Sequence, residues 1–359
     1  MAGSLSCAWQ ASLSALITSR LNPMNSNADE GALQLAATQR EAGWAAYRKG
    51  AFGEMRDAFS DAVNTCESIP PPVSTAAKRA LANSLRGRAV ALNKKGDIAA
   101  ASRDTTQALQ LLAEPDLAAA PGIQRLHEMC VTLQGHLRMH EGTPQYDPAA
   151  ALQHFQLALA IAQADNRSEI DAAPSQHRLV SGSSGSKLDV TSSLSNIGQA
   201  ELHLGHYAQA ETHLRQVIEG SVVPERLCVA HGSLGSVFRQ QGRWLQAMEH
   251  WQEALRQARM AGEVDAEAAL LAKIARYQRR VPELQGQPSV YADLASALQR
   301  LGRTPDAACS ICMDEMHLGE GVIVLETCLH AYHSECLEQF WRTRGYGGVT
   351  TTNCPMCQP

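Results

Sequence analysis

The sequence predicts a mostly α protein, a solenoid of stacked helix pairs followed by a small α+β module, and three observations carry that prediction. A pattern of Gly, Gly, aromatic and Ala residues recurs at one set of offsets through the middle of the chain. Aromatics supply 5% of residues while alanine is plentiful, which favours closely packed helices over sheets. Cys and His residues with metal-ligand spacing crowd the last fifty or so positions.

Residues 1–30 are expected to be a disordered segment. The apolar run from Ala8 to Ile17 lacks the basic start of a secretory signal. A transit peptide is the lesser alternative, since the stretch is Ser-rich, carries Arg20 and has no acid before Asp29. Glycine is residue 3 rather than 2, so the myristoylation pattern is absent. No apolar run reaches the roughly 18 residues needed to span a bilayer.

Helical repeats are expected over 31–165 and again over 188–261. The clearest copy runs Gly235, Gly242, Trp244, Ala247, Trp251, Ala254, and the one before it Gly198, Gly205, Tyr207, Ala210, Leu214, Val217, at the same offsets. Gly43, Gly50, Phe52, Met55, Phe59 and Ala62 repeat them near the start. Ala89, Gly96, Ile98, Ala101, Thr105 and Ala108 do so more faintly. A further unit ends in Ala151, Phe155, Ala158 and Leu159, its turn lengthened by GTPQYDP. Between the third and fourth regions, 166–187 contains SGSSGS and Pro174 and reads as a flexible linker. Residues 262–308 hold two helices without the repeat signature, suited to capping the stack.

These spacings resemble tetratricopeptide repeats, antiparallel helix pairs of about thirty-four residues. A small residue such as Gly198 or Gly235 lets two helices approach, and Gly205 or Gly242 can adopt the left-handed conformation that ends the first helix. Each pair leaves an apolar face that the next pair covers, so the units stack into a superhelix with a concave side. Such repeats bind partner proteins or peptides on that side. In the two clearest copies it would include Ser195, Asn196, Gln199 and His203, then Gly232, Ser233, Ser236 and Arg239, a polar face with one basic residue. The possible peptide groove is taken as Asn196, Gln199, His203 and Arg239.

Residues 309–359 read Cys-x2-Cys, x15, Cys-x-His-x2-His-x2-Cys, x17, Cys-x2-Cys. Thiolates and neutral imidazoles are the ligands zinc prefers, four to an ion, so this set calls for two Zn2+. About fifty residues cannot stand on an apolar core alone, and the metals must hold them. Disulfides fit poorly, because two His sit in register with the Cys; Cys7, Cys66, Cys130 and Cys228 lie among apolar neighbours and read as free thiols. Gly321 to Leu325 reads as a strand and Ser334 to Trp341 as a helix.

The ligand order resembles a RING finger of the two-histidine type. A plant homeodomain finger would place Cys at the fourth ligand, and a LIM domain would complete one ion before starting the next. The resemblance implies a cross-brace in which Cys309, Cys312, His333 and Cys336 hold one zinc and Cys328, His330, Cys354 and Cys357 the other. It implies contact with a ubiquitin-conjugating enzyme through Ile311, Phe340 or Trp341, and Pro355. It also implies catalysis by positioning a ubiquitin thioester, with no nucleophile or base of the domain's own. Two features depart from the family pattern: a long gap before Cys354 carrying Gly345, Gly347 and Gly348, and Gln358 where many active members have arginine.

Repeats followed by a RING resemble ubiquitin ligases, and also rapsyn-like scaffolds with the same order of domains. The expected reading is a RING-type ubiquitin transferase whose repeats recruit a protein substrate, with a non-catalytic scaffold as the alternative. The net charge of −5 gives no reason to expect nucleic acid. The expected location is the cytoplasm, with the nucleus as the alternative.

Overall fold

The computed structural model describes residues 29–172, 190–284, 288–303, 308–319, 321–344 and 354–357. The chain divides into two compact units, one through Val190 and one from Thr191.

The first unit is built from helices α1 (29–48), α2 (Phe52–Glu67), α3 (Thr75–Lys94), α4 (Ile98–Leu112), the short α5 (Pro115–Ala118), α6 (Gln124–Arg138) and α7 (Pro148–Ala172). Helices α3 and α4 start on capping side chains: Ser74 accepts from the Ala77 N–H at 3.2 Å, and Asp97 from Ala100 at 3.0 Å. The pairs α3/α4 and α6/α7 pack in chain order, and α1 meets α2 where Gly43 faces Phe59. Phe59 of α2 is fully buried, and its ring faces Gly43 of α1 and Gly87 of α3. A Cβ on Gly43 would come within 2.5 Å of Phe59 Cε2, and one on Gly87 would collide with the same ring. Phe155 on α7 meets Gly135 on α6 in the same way. Where Ala89 replaces glycine, the facing position holds the smaller Thr105, buried, its hydroxyl donating to the Ala101 carbonyl at 2.8 Å. Helix α7 continues through Ala172, into the segment expected as a linker; residues 173–187 lie outside the described residues.

The second unit begins with α8 (Val190–His203), α9 (Tyr207–Gly220), α10 (Pro224–Gln240) and α11 (Trp244–Ala261). Gly205 and Gly242 take φ of +76° and +73° and end α8 and α10. Leu214 fills the notch at Gly198, and Trp251 fills the one at Gly235. Ser195, expected on the binding face, is buried instead, because it lies on the side of α8 turned into the packing.

Helices α12 (Val264–Arg280) and α13 (Tyr291–Arg300) follow, with a 3-10 turn at Pro282–Leu284 between them. Tyr277 of α12 stacks on Trp251 with centroids 5.1 Å apart, so α12 continues the stack. The zinc-ligand segment adds strands β1 (Val322–Val324) and β2 (Ala331–His333), antiparallel with Ile323 opposite Tyr332, and helix α14 (Ser334–Thr343). Its small core joins Met316, Ile323, Leu325, Tyr332, Leu337 and Trp341. Val324 belongs to the same buried cluster as Trp251, Tyr277 and Leu294, so the segment shares a core with the capping helices.

Candidate metal centre

Two knuckles and one hairpin position the ligands. Cys309 and Cys312 bracket a tight turn in which the Met313 N–H donates to the Cys309 carbonyl at 2.7 Å and Met313 takes φ of +66°. Leu329, at φ +57°, makes the second bend, between Cys328 and His330. Strand β2 ends at His333, and Cys336 follows on the first turn of α14, so the hairpin carries His330 and His333 to opposite clusters.

The side chains of Cys309, Cys312, His333 and Cys336 converge, as do those of Cys328, His330, Cys354 and Cys357; within each set all donor atoms lie within 4.8 Å of one another. His333 Nδ1 stands 3.3 Å from Cys312 Sγ, and His330 Nδ1 stands 3.4 and 3.3 Å from the Sγ atoms of Cys354 and Cys357. Zinc bonds of about 2.3 Å to sulfur and 2.0–2.1 Å to nitrogen, at tetrahedral angles, require an S to N separation of about 3.5 Å. The donor sets therefore fit a zinc ion each. His333 Nε2 donates to the Glu315 carbonyl at 3.1 Å, which leaves Nδ1 as the nitrogen with a free lone pair on the cluster side.

The thiol electrostatics point the same way. At Cys309 burial opposes ionisation, but backbone N–H groups of Cys312, Ile311 and His333 outweigh it and bring the thiol down to about 7. Burial and the neighbouring thiols push Cys336 up to about 11, and Cys328 up to about 12. Cys354 is lowered despite burial, chiefly by the Tyr332 hydroxyl 3.0 Å from its sulfur. Each cluster thus ionises one thiol readily and resists a second anion, the charge pattern that a divalent cation resolves.

Of the residues expected to meet a conjugating enzyme, Ile311 is 37% exposed, Pro355 and Phe340 are half-buried, and Trp341 is 3% exposed. Trp341 is corrected out of that set. Its ring lies in the core, with the Arg276 guanidinium 5.5 Å from its centroid. Gln358 and the glycines at 345, 347 and 348 lie outside the described residues. Sequence reasoning missed β2, a three-residue strand inside the ligand run, and the ion pair of Arg276 with Glu326 at 3.2 Å. No local signal marks a pair fifty residues apart. In the candidate groove, Asn196 and Gln199 are half-buried on α8 and His203 is exposed at its end. Arg239 on α10 is already engaged, donating to the Tyr277 hydroxyl at 3.3 Å. Cys66, Cys130 and Cys228 are buried free thiols, and Cys7 lies outside the described residues. Among the described residues no helix is long and apolar enough to cross a membrane.

Comparison with known proteins bears on both regions. A Ring finger domain profile matches residues 307–358, and a Tetratricopeptide repeat profile matches residues 190–222. The RING-H2 finger protein ATL79 of Arabidopsis thaliana is 36% identical over 53 residues, 15% of this chain, and the chain spans 28% of that relative's length. Among solved structures, BtubC from P. vanneervenii superposes with a TM-score of 0.50 at 15% identity, over 74% of this chain and 99% of its own. Aspartyl phosphate phosphatase F from Bacillus subtilis gives 0.50 at 12% identity, over 76% and 73%. At such identities the two structures speak for the helical fold alone. The chain joins tetratricopeptide repeats to a C-terminal RING finger of the two-histidine type, with two sites each suited to a zinc ion.

Proposed function

We propose that this protein is a RING-type ubiquitin ligase, in which residues 309–359 bind a ubiquitin-charged conjugating enzyme and the repeats of 31–165 and 188–261 recruit a protein substrate. Cys309, Cys312, His333 and Cys336 hold one zinc, and Cys328, His330, Cys354 and Cys357 the other. The ions cross-link the fold and take no part in bond making. The observation that carries the reading is the exposure of Ile311 on the first cysteine knuckle, with Pro355 and Phe340 left partly accessible. An apolar side chain held in solvent by a rigid turn serves an interface better than it serves stability.

No nucleophile or general base is required of the domain. The substrate amine attacks the thioester carbonyl, the C–S bond breaks, and the conjugating enzyme's cysteine leaves as thiolate. The RING restricts the thioester to geometries open to that attack, an orientation effect. Asn196, Gln199 and His203 remain the groove residues of the second unit, with Arg239 at its edge. Buried unpaired thiols suit a reducing compartment, and the cytoplasm is the proposed location.

A second reading, a non-catalytic scaffold, draws support from the core that the RING shares with α12 and α13. Discharge of ubiquitin from a charged conjugating enzyme to free lysine separates the two. A ligase accelerates discharge and loses the effect in Ile311→Ala at unchanged zinc content. A scaffold is inert with every conjugating enzyme in both forms.

A further inference from the structure

Thirteen arginines and a single lysine supply the positive side chains of the second unit, residues 191–359, whereas the first unit has five lysines. Either cation can serve a surface or an ion pair, but a guanidinium stays protonated and is no nucleophile, while a lysine amine can attack a thioester. Lys273, the one amine side chain of the second unit, lies on α12 and is half-buried. Its ammonium rests 5.8 Å over the centroid of the Trp251 ring, and that ring is wholly buried. Burial, aided by Arg239 and Arg276 and opposed by Glu326, pushes the Lys273 pKa down. Its basicity would therefore permit attack, and it is reach that the packing of α12 on Trp251 denies.

The first unit is different. Lys49 in the turn from α1 to α2, and Lys94 and Lys95 in the turn from α3 to α4, are exposed. Lys78 is held by Glu114 at 2.5 Å and Asp116 at 2.9 Å, and these two carboxylates raise its pKa and keep the amine protonated. Lys187 lies outside the described residues. The side chains assigned above to contacts, Ile311, Pro355 and Phe340 at the RING and Asn196 and Gln199 on α8, all belong to the second unit. A ubiquitin attached beside any of them would obstruct the next conjugating enzyme or the substrate.

We propose that the unit bearing the RING is closed to modification by its own ligase activity, and that self-transferred ubiquitin goes to amines of the first unit, Lys49, Lys94 and Lys95 among the described residues. This rests on the ligase reading and extends it to how the enzyme spares its own contact surfaces. The step is an aminolysis: the lysine Nζ bonds to the terminal carbonyl carbon of ubiquitin, the C–S bond breaks, the conjugating enzyme's cysteine leaves as thiolate, and the amine's proton passes to solvent.

The test maps ubiquitin remnants by mass spectrometry on the full-length, zinc-loaded protein after reaction with charged conjugating enzymes. Remnants should fall on Lys49, Lys94 and Lys95 and be absent from Lys273. Arg256→Lys on α11 and Arg342→Lys on α14 keep the charge at exposed positions and place an amine in the second unit, so each should gain a remnant at the substituted position. Acetylation by a small N-hydroxysuccinimide ester needs no ligase, and should label Lys49 about tenfold or more faster than Lys273. A remnant on Lys273, or equal acetylation of Lys273 and Lys49, overturns the proposal. So does an amine at position 256 that stays free while discharge to free lysine is unchanged, since the scarcity of lysine would then protect nothing. Absence of remnants from Lys49, Lys94 and Lys95 in a wild type that discharges ubiquitin to free lysine overturns it as well. A wild type inert with every conjugating enzyme fails the ligase reading and this proposal together, whereas the other adverse outcomes fail the proposal alone.

Discussion

A Cβ atom added to Gly235 of α10 would fall into the Trp251 ring of α11, against Cδ1 and Nε1, and 3.0 Å from the Ala247 carbonyl oxygen. The indole occupies the volume that any other residue at 235 would need. Gly232, one turn earlier on the same helix, has nothing within 4 Å of the equivalent position.

The two glycines should therefore respond with opposite sign. Gly232→Ala gains helix propensity and should stabilise the second unit by up to about 1 kcal/mol. Gly235→Ala meets the ring and should destabilise it by about 1–3 kcal/mol despite the same gain. Urea denaturation of both variants measures the contrast, and equal effects would show that the notch is not size-limited.

Breaking the contact of α12 with the RING should couple to the repeats. The Arg276 side chain is 1% exposed and Glu326 11%, so removing one partner strands a buried charge, at a cost of about 3–5 kcal/mol. Glu326→Ala should lower the melting transition of the capping helices together with that of the RING. Hydrogen exchange along α12 reads this directly, and protection unchanged in α12 would mean that the RING folds apart from it.

Metal removal should be felt in the same place and should depend on pH. Zinc holds the thiols deprotonated, equivalent to a bound-state pKa far below the free one. Cys336, free at about 11, keeps its proton at neutral pH and must release it on binding. Affinity should thus rise with pH from neutral upward and fall as pH drops. Calorimetry in two buffers of different ionisation heat should return two zinc ions per chain and more than one proton per ion.

Neighbouring residues on α14 should separate interface from core. Phe340→Ala should abolish ubiquitin discharge while the fold survives. Trp341→Ala should cost about 3–5 kcal/mol in stability, because the ring is buried under Arg276. Gln358→Arg should raise discharge about tenfold if one charge-assisted contact adds about 1.4 kcal/mol in the transition state. Discharge unchanged in Phe340→Ala would remove that ring from the enzyme contact, and a wild type inert with every conjugating enzyme would point to the scaffold.

Much of this was legible in the chain because repeats and metal ligands are written in local spacing. Sixteen positions separate Gly198 from Leu214, and Gly235 from Trp251, the reach of a helix, a turn and the next helix, and each such pair meets in space. Ligand spacing marked the Cys and His as zinc donors, and the resemblance to the RING finger implied the cross-brace; the donors stand together in two sets of four. What stayed hidden depends on neighbours distant in sequence. Ser195 looks like a surface residue until α8 is packed. Phe340 and Trp341 are adjacent and equally bulky, and only the approach of α12 shows which of them is buried.

Phe59 lies against Gly43 within its own helix pair and against Gly87 of the next. One ring is therefore a spacer for two interfaces at once, and the angle between α1 and α2 cannot change without altering how the following pair is stacked. The spacing of α1, α2 and α3 at this point is set by the thickness of a benzene ring. A substitution there would propagate along the stack as a change of curvature, and any surface assembled from several first helices would be bent with it.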